Sequence, residues 1–145
     1  KLINNIKSIM HDKSLLCIQV PNDTNNPIMK KYQVRTGMNF NKTKNFCPPA
    51  HLHYFSHTSL TSFMKSSNLR KIVQIGDFPI EMFLLDDSTD YYKNQKFGKY
   101  AHKIRCGFNN VIKDLEIQKV LNLGKCLSDL SLGRNIIGFY KKISN

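Results

Sequence analysis

The apolar run over residues 14–20 constrains the fold of this chain more than any other segment. Leu15, Leu16, Ile18 and Val20 follow one another almost without polar interruption, and Pro21 ends the run. A strand that lacks polar alternation is typical of a sheet buried on both faces, as in parallel sheets flanked by helices. We therefore expect an α/β fold in which this strand lies inside a covered sheet.

Segments with helical and strand-like patterns alternate along the chain, and their order predicts the architecture. In chain order they are a helix over 1–11, a strand over 14–20, a helix over 56–67, a strand over 70–76, a helix starting at 99, a helix over 117–132 and a strand over 135–143. Residues 24–45 are expected to form a largely polar loop, and residues 80–85 are ambiguous between helix and strand. This order predicts part of an α/β sheet.

An aromatic and histidine-rich loop leads directly into the helix predicted over 56–67. Pro48-Pro49 keeps the backbone extended at the start of that loop. Ser56 is placed to cap the helix, and Asn68 follows it as a residue that tolerates the left-handed conformation. Gly133 is the expected stop of the later helix over 117–132.

Composition sets the class of protein. The chain has 145 residues and 41% hydrophobic content, which suits one domain over residues 1–145. Its net charge of +12 would attract polyanions. The lysines are dispersed and no RNP-type or helix-turn-helix pattern is present, so nucleic acid is a possible partner that we do not favour. The absence of an apolar run of spanning length argues against a membrane partner.

Cysteine usage indicates a reducing compartment. Cys17, Cys47, Cys106 and Cys126 lie far apart and form no CxxC pair, and no secretory signal is present. We therefore expect free thiols and a cytoplasmic location. The chain opens at Lys1 inside an apolar-periodic segment, which we interpret as a cut through a larger protein.

Four stretches together resemble the C-terminal half of a class I S-adenosylmethionine-dependent methyltransferase. The two main ones are Val20-Pro21-Asn22-Asp23 and Pro48-Pro49-Ala50-His51-Leu52-His53-Tyr54-Phe55-Ser56, and the weaker ones are Phe78-Pro79-Ile80-Glu81 and Leu132-Gly133-Arg134. The resemblance implies a Rossmann-like sheet of which this chain supplies the last three strands, the fifth, sixth and seventh. Residues 86–133 would then be a helical insertion before the final strand.

The cofactor motifs of that family are missing from this sequence. No Gly-rich turn of the GxGxxG type occurs in the chain, and Asn68 replaces the Gly common before the family's sixth strand. The resemblance therefore implies the substrate-side portion of an enzyme that uses S-adenosylmethionine and methylates a small-molecule or sugar-like acceptor. This portion alone is expected to be inactive and to expose a sheet edge through which it could associate. The alternatives are a non-catalytic basic module that binds nucleic acid or another polyanion, and a degenerate methyltransferase remnant.

Methyl transfer needs a positioned nucleophile and often a base, and the resemblance places candidates for both tasks. His51 is the candidate catalytic base or substrate orienter, because imidazole titrates near neutral pH; the alternative is that it only ties its loop to the turn at Pro21. Asn22 and Asp23 could bind an acceptor hydroxyl or amine, or simply form an Asx turn. Tyr54 and Phe55 could wall the acceptor pocket, or belong to the core.

Two further constellations suggest other ligands. Cys47, His51, His53 and His57 form a C-x3-H-x-H-x3-H pattern, but zinc sites usually combine paired short spacings from two elements, so we expect no metal. Arg105 and Arg134 could bind an anionic group such as phosphate. Ion pairs with acidic residues on neighbouring elements are the alternative that we prefer for both arginines.

Overall fold

The computed structural model describes residues 1–22, 26–39 and 53–143. Over these residues the chain forms, in order, α1 (Leu2–Ile9), β1 (Leu16–Pro21), α2 (Pro27–Thr36), α3 (His57–Ser66), β2 (Leu69–Gly76), a 3-10 helix (Ile80–Leu85), α4 (Lys96–Ile112), α5 (Ile117–Asp129) and β3 (Asn135–Lys142). The expected mixed α/β class is confirmed. The segment that was ambiguous between helix and strand is the 3-10 helix.

The three described strands form one sheet in the order β1-β3-β2. The last strand lies in the middle and runs antiparallel to both neighbours, with Pro21 opposite Asn135 and Gly76 opposite Ile136. β1 and β2 therefore run parallel to each other although they are not paired. Both of them end at the end of the sheet where β3 begins, and we call this the carboxyl end of the sheet.

One face of the sheet packs against α1 and α3. The buried core there consists of Met10, Leu60, Met64, Leu69, Ile136 and Tyr140. Ile3 and Ile6 of α1 and alternate residues of β1 pack against this core. On the opposite face α5 lies on β2, where Gly124 permits close approach because a Cβ there would come within 2.8 Å of the Ile75 Cβ.

The expectation that β1 is buried on both faces is wrong. Leu16, Ile18 and Val20 are partly buried against the core, whereas Cys17 and Gln19 are exposed. The reason is positional: β1 pairs only with β3 among the described strands, and α5 covers β2 rather than β1. The apolar run correctly predicted a strand but not how its second face is covered.

The capping predictions for α3 are confirmed. The Ser56 hydroxyl accepts from the Ser59 backbone N–H at 3.1 Å, and the Ser59 hydroxyl accepts from the Ser56 backbone N–H at 2.8 Å. This reciprocal capping box fixes where the helix begins. Asn68 has a φ of 56°, the left-handed conformation expected just past the helix.

Helix α2 lies where a polar loop was expected, so that prediction is wrong for residues 27–36. Asn26 caps the helix by accepting from the Met29 N–H at 3.0 Å, Pro27 occupies the first turn, and Gly37 ends the helix at a φ of 65°. Met29 and Tyr32, one turn apart, are fully buried against Leu84. These tertiary contacts stabilise a helix whose other residues are largely polar.

The end of α5 also differs from the expectation. The helix ends at Asp129 rather than at residue 132, and Ser131 takes the left-handed conformation with a φ of 58°. Gly133 has a φ of 110° and lies against β2, where a Cβ would come within 2.8 Å of the Asp77 backbone nitrogen. Gly133 is therefore required for the close approach of two chain segments and not for stopping the helix.

Candidate functional site at the carboxyl end of the sheet

The residues that flank the strands at the carboxyl end of the sheet are joined by hydrogen bonds. Asn135, the first residue of β3, donates its backbone N–H to Asp77 Oδ1 at 2.7 Å and its side-chain Nδ2 to Asp77 Oδ2 at 2.6 Å. Asp77 directly follows β2. These bonds hold the exit of β2 against the entry of β3.

Asn22 connects the exit of β1 to the same place. Its side-chain Nδ2 donates to the Ser131 carbonyl at 3.1 Å and to the Gly133 carbonyl at 3.0 Å. Its backbone N–H donates to the Arg134 carbonyl at 3.0 Å. Both hydrogens of the amide are used in these bonds, so the side chain is held by long-range contacts.

Phe55 lies beside Asn22. The two residues form an isolated parallel β-bridge, which places the end of the aromatic loop next to the Val20-Pro21-Asn22 turn. The Phe55 ring packs against Phe63 with centroids 5.6 Å apart and contacts the core. Tyr54 is partly buried at the same point. Asp23 and the catalytic candidate His51 lie outside the described residues.

His57 is a buried residue whose role the sequence pattern did not reveal. Its Nε2 donates to the Leu132 carbonyl at 3.2 Å, since a carbonyl can only accept, and its Nδ1 lies 2.8 Å from Ser128 Oγ. These contacts join the start of α3 to the end of α5. Within the zinc pattern, Cys47 and His51 lie outside the described residues, and the described part contains no group of three or more potential metal ligands.

Arg134 and Glu81 form an ion pair at this end of the sheet. Arg134 Nη1 lies 3.1 Å from Glu81 Oε1, and the Glu81 side chain is only 4% exposed. Burial raises the pKa of the Glu81 carboxyl, and the Arg134 charge opposes that rise. The ion-pair alternative is thus what the structure shows for Arg134. Arg105 instead contacts His102, its Nη2 lying 3.1 Å from Nδ1.

A cavity of about 250 Å³ opens beside this ion pair. Its polar lining comes from Tyr91, His102, Arg105 and Arg134. The Tyr91 hydroxyl is buried and has no hydrogen-bond partner within the described ranges. We call this cavity the arginine pocket.

A second polar cluster attaches α2 to the segment after the 3-10 helix. The Tyr32 hydroxyl donates to Asp90 Oδ2 at 3.0 Å, and Arg35 Nη2 lies 3.7 Å from the same oxygen. Burial and the Asp90 carboxylate raise the pKa of Tyr32 to about 12. Asp90 is fully buried, and its carboxylate contacts both Tyr32 and Arg35.

Cysteine and membrane features add little to the site. Cys17, Cys106 and Cys126 are exposed free thiols. Within the described ranges, none of the helices has the length and apolar character needed to cross a bilayer.

Comparisons with known proteins give no functional assignment for this chain. No protein-family model matches the chain, and searches of curated proteins and of solved structures find no match either.

Proposed function

We propose that this chain is the substrate-side portion of a class I S-adenosylmethionine-dependent methyltransferase that methylates a small-molecule or sugar-like acceptor. The observation that carries the proposal is that described residues from four stretches distant in sequence meet at the carboxyl end of the sheet. Asn22 bonds to the Gly133 carbonyl and bridges to Phe55, and Arg134 pairs with Glu81. These contacts connect all four stretches on which the resemblance rests.

The strand order also supports the proposal. The resemblance assigns β1, β2 and β3 as the fifth, sixth and seventh strands. In the order β1-β3-β2, with β3 antiparallel to both neighbours, β1 and β2 run in the same direction and end at the same end of the sheet. In open α/β sheets ligands bind beyond the carboxyl ends of the parallel strands, which is where the four stretches meet.

The Gly-rich cofactor motif of the family that the chain resembles, the turn that would hold S-adenosylmethionine, is missing from this sequence. The arginine pocket is small and cationic, which does not suit a sulfonium compound that is itself positively charged.

The proposed tasks of this chain are to bind and orient the acceptor. His51, four positions before Phe55 in the sequence, is the proposed base that takes the acceptor's proton. The Asn22 side-chain oxygen is the proposed acceptor for a substrate hydroxyl, because the amide hydrogens already bind backbone carbonyls. Tyr54 and Phe55 are proposed to wall this space.

Calorimetric titration with S-adenosylhomocysteine tests the cofactor class. The product is titrated into the 145-residue chain and into the protein that also carries the coding sequence upstream of Lys1. Binding to the longer form alone supports the proposal. If neither form binds, the methyltransferase proposal is wrong, and a steep loss of polyanion binding with added salt would then favour a basic binding module.

A further inference from the structure

The arginine pocket adjoins the proposed acceptor site. Arg134 is one of the residues that line the pocket, and its backbone carbonyl accepts from the Asn22 backbone N–H at 3.0 Å. The pocket and the Val20-Pro21-Asn22 turn are therefore separated by a single residue. Building on the proposed function, we infer that the acceptor carries an oxyanion, phosphate or carboxylate, and that this pocket binds it.

Arg105 provides the uncompensated positive charge. Arg134 has Glu81 as a counter-ion, whereas no ion pair joins Arg105 to a carboxylate in the part of the chain that the structure describes. Its described side-chain hydrogen bond goes to His102 Nδ1 at 3.1 Å. A guanidinium has five N–H donors in a planar fork that matches the geometry of phosphate and carboxylate. Arg105 thus has donors left for such a group.

The Tyr91 hydroxyl provides a second donor. It is buried, it belongs to a residue that lines the pocket, and it lacks a partner among the described residues. Burial raises the pKa of this hydroxyl, so it stays protonated. A buried hydroxyl without a partner is unfavourable, and a bound oxyanion would accept its hydrogen.

The size of the pocket fits one charged group and not a whole acceptor. Complete small-molecule sites are on the order of 300–1,000 Å³, above the roughly 250 Å³ found here. The remainder of the acceptor would then extend toward Asn22. The site is therefore specific for a small molecule with a terminal phosphate or carboxylate.

Titrations of the 145-residue chain with inorganic pyrophosphate and with malonate, followed by ¹H–¹⁵N NMR at constant ionic strength, test this inference. We expect saturable shifts centred on Tyr91, His102 and Arg105. A probe whose saturable shifts are centred on these residues identifies its own oxyanion, phosphate or carboxylate, as a ligand of the pocket. Arg105→Gln should weaken that binding about tenfold or more, because a charge-assisted hydrogen bond is lost. The matched control Lys103→Gln removes the same charge from an exposed position on α4 and should change the affinity less than about twofold.

The Tyr91→Phe variant distinguishes an effect on anion binding from an effect on the stability of the fold. Removal of an unpartnered hydroxyl should leave the denaturation midpoint unchanged or raised, while pyrophosphate or malonate binds several-fold more weakly. Equal losses of anion affinity in Arg105→Gln and Lys103→Gln would show that the effect depends only on the net charge of the chain, and would overturn the inference. The absence of saturable binding would also overturn it.

The inference and the proposed function can fail separately. Binding of S-adenosylhomocysteine by the longer protein without oxyanion binding would refute the inference alone. Oxyanion binding at Arg105 in a protein that does not bind S-adenosylhomocysteine would leave the pocket assigned and remove its link to methyl transfer.

Discussion

Replacement of Asn22 tests whether the turn after β1 is held by its side-chain amide. The amide nitrogen makes two hydrogen bonds, to the carbonyls of Ser131 and Gly133, at 3.1 and 3.0 Å. Each such bond contributes about 1 kcal/mol net, and the loss of both leaves two partly buried carbonyls without this partner. Asn22→Ala should therefore lower the free energy of unfolding by about 2–3 kcal/mol. For a chain of this length that is a decrease of roughly 5–10 °C in Tm.

The assay is urea unfolding followed by circular dichroism, with two companion variants. Asn22→Asp keeps the shape but turns a carboxylate oxygen toward two carbonyls, so it should destabilise the chain at least as much as Asn22→Ala. Asn110→Ala is the control on the exposed surface of α4 and should change stability by less than about 0.5 kcal/mol. Changes within about 0.5 kcal/mol for both Asn22 variants would refute the structural role and leave Asn22 free for the acceptor.

Three more stability predictions follow from contacts near the site and in the core. Gly133→Ala should cost about 1–3 kcal/mol in urea unfolding, because its φ of 110° and its contact with Asp77 both exclude a Cβ; an unchanged midpoint would contradict this. Arg134→Ala should cost about 3–5 kcal/mol at pH 7, since Glu81 is left buried without its partner. Burial raises the pKa of Glu81, so this loss of stability should shrink as the pH falls and the carboxyl binds a proton; a loss independent of pH would argue against the pair. Tyr140→Phe should be neutral or stabilising at pH 7 because the hydroxyl is buried without a described partner. Burial raises the pKa of Tyr140 to about 12, so the wild type should lose stability between pH 10 and 12 and Tyr140→Phe should lose less in the same titration.

Local patterns predicted most of the elements because the relevant interactions are themselves local. The capping box at Ser56 and Ser59 and the left-handed Asn68 depend on backbone groups within a few residues. Strand β3 begins at Asn135, as its apolar and β-branched composition indicated. Such features are visible in a single sequence.

The missed features depend on contacts between distant residues. The local start and stop residues of α2 are present at Asn26, Pro27 and Gly37, but its polar composition concealed them, and its stability depends on Tyr32 meeting Asp90 across the fold. The coverage of β1 could not be inferred, because nothing in its own sequence shows that α5 packs on β2.

The site could be located from sequence only in outline. The quoted stretches indicated which residues should meet, and the bridge between Asn22 and Phe55 joins two of them. The arginine pocket was not predicted, since it requires Tyr91, Arg105 and Arg134 to converge from three separate segments. The sequence places His57 only in a candidate metal pattern. In the structure its hydrogen bonds join the start of α3 to the end of α5.

The most direct test of the central proposal is transfer of a radiolabelled methyl group from S-adenosylmethionine by the protein that includes the sequence upstream of Lys1. The protein is incubated with a whole-cell extract, and the label is followed in small-molecule, nucleic-acid and protein fractions. The account predicts label in the small-molecule fraction, reduced at least about a hundredfold by His51→Gln, as expected for loss of a general base, and unaffected by the exposed control His11→Gln. Label confined to nucleic acid, or no label from a protein that binds S-adenosylhomocysteine, would contradict it.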